Sequence, residues 1–227
     1  FDEALVGLDV CVVVTPRRVI GYSTKSLDEV WEYSRPQERY HHVARSGSNL
    51  FVVYTHSQTG RQGVLRLDAK GGDFQGEVCS PRQPVIHGIA VNADGLVLLT
   101  RDLASALPPE LQPQLMIDLS RRTDGGVSDT LSLLAVPIDT EPGEGPLWFS
   151  VLSTQRGDEM PDASIAADSG KLYVLRGALL EVRDTLTGRS LGEWAVPGID
   201  EAVAWGVSQG AGLVAEETRV SVYELPA

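Results

Sequence analysis

Carboxylates are the commonest reactive side chains in this sequence, and three of them sit where chemistry could use them. Glu3, Asp162 and Glu201 each stand at or near the start of a short predicted strand. Carboxylates converging from such strands on a shared channel could act as general acid and as nucleophile or base toward a glycoside. The competing reading is that they are solvated turn residues of an acidic protein. Aromatic residues make up only 6% of the chain, so the stacking platform a sugar would want is thin. The histidines, His41, His42, His56 and His87, show no HxH or HExxH spacing, and no metal-ligand set is expected from them. Adjacent His41 and His42 on one strand would point to opposite faces. No Gly-x-Ser-x-Gly elbow and no phosphate-cradling glycine loop occurs, and Gly71-Gly72 and Gly125-Gly126 suit hairpin turns. Asp94-Gly95 and Asp168-Ser169-Gly170 lack the alternating acidic order of a calcium loop and also read as turns. Cys11 and Cys79 form no CxxC pair. Cys11 lies in an apolar run and reads as a buried free thiol, with a Cys11–Cys79 bridge as the alternative. No catalytic residue, metal site or cofactor is expected.

The net charge of −12 repels phosphate backbones, so nucleic acid is not an expected partner. The longest apolar runs, such as Cys11 to Val14 and Leu96 to Leu99, fall far short of the roughly 20 residues that cross a bilayer. The elements that must position any site are therefore those of a water-facing globular domain.

Those elements repeat. Asp2 to Val6, Cys11 to Val14 and Arg18 to Tyr22 align with Asp200 to Ala204, Gly212 to Ala215 and Arg219 to Tyr223. The same plan recurs between them. A strand of small residues leads through a polar turn into a strongly apolar strand. A third, alternating strand follows, as in Gly63 to Asp68, then an Asp/Thr/Gly turn and a fourth strand. Short Val-, Leu- and Tyr-rich runs bounded by Gly, Asp, Asn and Ser are the signal of strands and hairpins. The apolar second strand is expected to lie sandwiched between neighbouring sheets. Units at about 1–38, 39–83, 84–139, 158–198 and 199–227 match the length of four-stranded blades. The expected fold is an all-β propeller of about five blades, or an arc of a larger one, with a three-stranded last blade. Leu103 to Gln114 is expected to be a loop with at most one helical turn. Residues 140–157 stand outside the repeat, and within them Leu147 to Leu152 forms an apolar island. The island reads as a strand of its own or as the outer strand of a displaced blade; a buried strand is the first reading and a projecting contact segment the second.

Gly21 to Tyr33, with Trp31, resembles a quinoprotein-type (PQQ-like) repeat, although Ser23, Ser26 and Leu27 replace its Asp, Thr and Gly. Asp184-Thr185-Leu186-Thr187-Gly188-Arg189 keeps the Asp and Thr-Gly, and its Trp194 comes two residues late. His87 to Leu99 is similar to the Gly-Ile-Ala-Val-x-x-Asp-Gly segment of NHL-type propellers. The resemblance implies tryptophans that dock neighbouring blades, and it brings no residues that would hold the quinone or its calcium.

A rigid disc with variable loops and no catalytic constellation points first to a protein-binding scaffold within a larger assembly. Trp148 and Phe149 are the expected partner contact. The alternative is a small-ligand or carbohydrate site at the channel mouth, using Glu3, Asp162 and Glu201.

Overall fold

The computed structural model of the chain describes residues 3–7, 9–79, 85–92, 95–101, 103, 107–122, 131–139, 145–152, 163–196, 204–208, 210–215 and 219–225. They form five antiparallel sheets, each a meander in chain order. The first holds β1 (Glu3–Val6), β2 (Val10–Val14), β3 (Val19–Ser23) and β4 (Glu29–Tyr33). The second holds β5 (Glu38–Ser46), β6 (Asn49–His56), β7 (Gln62–Asp68) and β8 (Phe74–Cys79). The third holds β9 (Val85–Val91), β10 (Gly95–Arg101), β11 (Ser132–Pro137) and β12 (Trp148–Val151). The fourth holds β13 (Ala163–Asp168), β14 (Lys171–Arg176), β15 (Leu179–Asp184) and β16 (Ser190–Ala195). The last has three strands, β17 (Ala204–Ser208), β18 (Ala211–Ala215) and β19 (Val220–Glu224). The first strand of each sheet adjoins the first strand of the next. This is the arrangement of a five-bladed β-propeller with a three-stranded last blade.

Packing explains the composition of the second strands. β10 is buried on both faces from Gly95 to Thr100, and β6 and β14 are buried through their centres. Each lies between two neighbouring blades, so both faces must be apolar. β2 and β18 alternate instead. Val10, Val12 and Val14 are buried while Cys11 and Val13 are half-buried, and Val214 is buried while Leu213 is exposed. Alternation is what a sheet packed on one side requires. Apolar clusters fill the four seams. Val12, Val14, Leu50 and Val52 join the first two blades, and Phe51, Val53, Leu96 and Leu98 the second and third. Val97, Leu99, Leu172 and Val174 join the third and fourth, and Tyr173, Val182 and Val214 the last two.

A second device locks the seams near the outer strands. The turn after the third strand closes when Gly72 N–H donates to the Asp68 carbonyl (2.8 Å) and Gly188 N–H to the Asp184 carbonyl (2.9 Å). Each glycine has positive φ, 73° and 67°. The ring of Trp31, on the preceding blade, lies over Gly72, and that of Trp148 lies over Gly188. A Cβ on either glycine would fall 2.6 Å from the indole. Trp148 Nε1 also donates to the Thr185 carbonyl at 2.9 Å. Between the second and third blades the corresponding place holds an ion pair, Arg66 to Asp139 at 2.8 Å.

Two features differ from the sequence reading. The third blade draws its outer strand, β12, from within the stretch 140–157 that was expected to stand outside the repeat. The excursion from Leu103 holds more helix than one turn: a 3₁₀ turn at Pro109–Leu111 runs into α1, Gln112–Arg122. Leu103, Leu107 and Leu115 bury against the seam of the second and third blades, while Met116 and Ile117 stay exposed. So few inward residues make no legible helical stripe. Cys11 is the free thiol of the first reading, half-buried rather than buried on β2.

Candidate functional site

The carboxylates proposed for a channel mouth supply no geometry. Asp162 and Glu201, and the side chain of Glu3 on β1, lie outside the described residues. Of the expected partner contacts, Trp148 is half-buried with its indole engaged on the fourth blade. Phe149, half-buried, packs against the core between the second and third blades. What this segment presents to solvent is Leu147, which is exposed.

A depression of about 380 Å³ lies at the turn end of the third and fourth blades, lined by Asn92, Lys171, Asp184, Leu186 and Leu191 among others. Its one described carboxylate is spent on its own turn. Asp184 accepts from Thr187 Oγ1 at 2.7 Å, from Thr187 N–H at 2.8 Å and from Leu186 N–H at 3.1 Å. Those bonds hold its pKa below the ordinary carboxylate value, so it stays ionised as a turn cap. Three tyrosines of the first two blades sit away from this depression. Burial pushes Tyr33 and Tyr54 up to about 12 and Tyr40 higher still. Tyr40 donates to Glu38 Oε2 (3.0 Å) and accepts from Arg35 N–H (2.9 Å), which ties the first blade to the second.

The surface with unspent binding capacity is the far side of the last blade. Trp205, Val207, Val214 and Tyr223 turn toward the fourth blade. Register then puts Leu213, Val222 and Val220 on the other face, since Leu213 pairs with Val222 and Ala215 with Val220. Their exposures are 42%, 65% and 67%. Gly206, opposite Leu213, would direct a Cβ into open space, with no atom within 4 Å. Among the described residues no seam like the four others joins this face to the first blade. β-Branched and leucine side chains like these fill the inner seams of this protein, yet here they meet solvent. In the sequence, Val220 and Val222 read as ordinary strand residues. Only the order of the blades reveals that their face is uncovered.

No family model matches the chain, and no curated protein matches its sequence. Solved structures do. BamB from Moraxella catarrhalis superposes with a TM-score of 0.54 at 14% identity, over 98% of this chain and 57% of its own. Regucalcin from Agrobacterium tumefaciens, a calcium-binding protein, superposes with a TM-score of 0.52 at 13% identity, over 95% of this chain and 68% of its own. The likeness is one of fold. The propeller spans little more than half the length of the BamB chain. No described helix is long and apolar enough to cross a membrane.

Proposed function

We propose that this propeller is a non-catalytic scaffold that holds a protein partner within a larger assembly, and that the partner packs an apolar β-sheet face onto the last blade. The observation that supports this reading is the uncovered Leu213–Val220–Val222 face. It continues the stacking by which each blade covers the one before it, which is why another sheet is its fitting occupant. Sheets pack face to face about 10 Å apart through such side chains. Clustered exposed aliphatics of this kind mark interaction surfaces more often than idle ones. Fold alone does not assign a function, and the partner-holding role rests on this surface.

The test is affinity capture with the tagged full chain, comparing wild type with the pair Leu213→Asp/Val222→Asp and with Leu147→Asp. The expected result is a stoichiometric partner that the double substitution loses at least tenfold. Hydrogen exchange on the complex should slow across 211–224. Self-association lost on the same substitution would replace the partner by a second copy. Loss with Leu147→Asp alone would move the contact to the segment of Trp148 and Phe149. Capture unaffected by either variant would overturn the surface.

A further inference from the structure

Resting on the reading of the last blade as the partner's seat, we propose that the partner supplies the fourth strand this blade lacks. That strand is an extended segment that pairs antiparallel with β19 and lays an aromatic side chain over Val220 and Val222. Four of the sheets have four strands and the last has three, and among the described residues no strand pairs with the outer edge of β19. The alternation of an antiparallel ladder fixes what that edge offers. Leu225 N–H donates to the Gly210 carbonyl at 2.9 Å, so residues 225, 223 and 221 turn their backbone groups toward β18. Val220, Val222 and Glu224 therefore direct theirs outward. Sheets guard such edges with lysine, proline or a bulge. β19 has none of these: it reads Val-Ser-Val-Tyr-Glu, in unbroken register with β18. The joins of β4, β8 and β16 to their third strands, by contrast, all carry a register shift.

The complete blades show what the added segment carries. In three of the four, the outer strand brings a tryptophan to the face toward the following blade: Trp31, Trp148 and Trp194. Each stands opposite a third-strand residue, Gly21, Ala135 or Leu180, and all three of those residues are buried. Val222 takes the place of Gly21 in the repeat. It lies opposite Leu213 of the second strand as Gly21 lies opposite Val12. Val220 shares its face one pleat away. Both valines are exposed where their counterparts in the complete blades are covered. An indole laid over them would bury them in the same way and would reach Leu213 beside Val222. In strand addition of this kind the main-chain bonds supply affinity and the side-chain contacts supply specificity. The blade thus offers a partner both a row of backbone donors and acceptors and an apolar place for one large ring.

The experiment titrates the full chain with a synthetic peptide of residues 189–196 of this same protein, an outer-strand sequence carrying Trp194. Binding is read from the amide resonances of β19, and hydrogen exchange is followed residue by residue. The peptide should bind saturably at one site, and exchange at Val220, Val222 and Glu224 should slow at least tenfold. The same peptide with Trp194→Ala should bind severalfold more weakly. Val222→Pro removes an outward N–H and spares the ladder to β18, so it should weaken binding at least tenfold. Val222→Thr keeps that N–H and should bind within twofold of wild type. No saturable binding to wild type, or equal binding by Val222→Pro, would overturn the added strand. So would self-association of the free chain that Val222→Pro abolishes, because it would give the edge to a second copy. If Val222→Pro does not fold, exchange in wild type decides: slowed outward amides support the strand, and unslowed ones refute it. Failure of this titration leaves a partner captured through the Leu213 face standing, whereas failure of capture beside a working titration strikes that face and not the edge.

Discussion

Replacing Glu181 by alanine is expected to lower the unfolding free energy by about 3–5 kcal/mol, the cost of stranding a buried charge. Glu181 is 3% exposed and lies between two arginines. Its Oε1 meets Arg183 at 2.8 Å and its Oε2 meets Arg176 at 3.2 Å. Arg183 is itself buried and donates to Ser150 Oγ on the third blade (3.0 Å) and to the Gly188 carbonyl (2.9 Å). The network thus couples the fourth blade's interior to its seam with the third. Without the carboxylate Arg183 keeps the neutral acceptors at Ser150 and Gly188 and loses its ion pair with Glu181. Arg176 retains Glu193, which is half-exposed and screened. The size of the loss reports the stranded arginine rather than the worth of the bridge. Glu181→Leu combined with Arg183→Met should therefore cost less than Glu181→Ala alone. Denaturant midpoints for the single and double variants check this ordering. A double variant worse than the single would show that the ions stabilise the fold outright.

The parts of this fold that were legible in the sequence are those governed by period and by turn chemistry. Leu96 to Thr100 and Leu172 to Leu175 read as sandwiched strands because burial on both faces admits few polar residues. Asp184 to Gly188 read as a turn because an Asp side chain and a glycine are what its backbone needs. What escaped reading depends on who sits next to whom. Trp148 stands in a segment that breaks the repeat, and nothing near it in sequence points to Gly188. α1 buries its few leucines against a seam that exists only once the blades are stacked. His41 and His42 fall where the β5–β6 ladder is interrupted, and strand pattern alone does not announce such a break. The apolar face of the last blade was invisible for the same reason, because burial of Val220 and Val222 would need a neighbour that strand pattern cannot specify.

The turn that follows each third strand allows one backbone position to be tested with opposite signs. Gly188→Val should destabilise the protein by several kcal/mol, whereas Leu27→Gly should leave it unchanged or raise its stability. The two residues are equivalent. Each donates its N–H to the carbonyl four residues back, Leu27 to Ser23 at 2.8 Å and Gly188 to Asp184 at 2.9 Å. Both are left-handed, at φ 62° and 67°. A side chain in that conformation costs roughly 1–2 kcal/mol. At 188 the added Cβ would also fall 2.6 Å from Trp148 and push the indole out of its seam. Displacing a packed tryptophan forfeits part of the roughly 3–5 kcal/mol that its removal costs. At 27 the side chain is 75% exposed, so glycine relieves the backbone and removes no packing. Against that relief stands the larger entropy glycine gains in the unfolded chain, worth about 0.4–1 kcal/mol. The first blade tolerates leucine here because, among the described residues, no tryptophan lies over its turn. Urea midpoints for the two variants carry the test. A strong loss at Leu27→Gly would reveal a contact on the first blade's turn and with it a neighbour on that face.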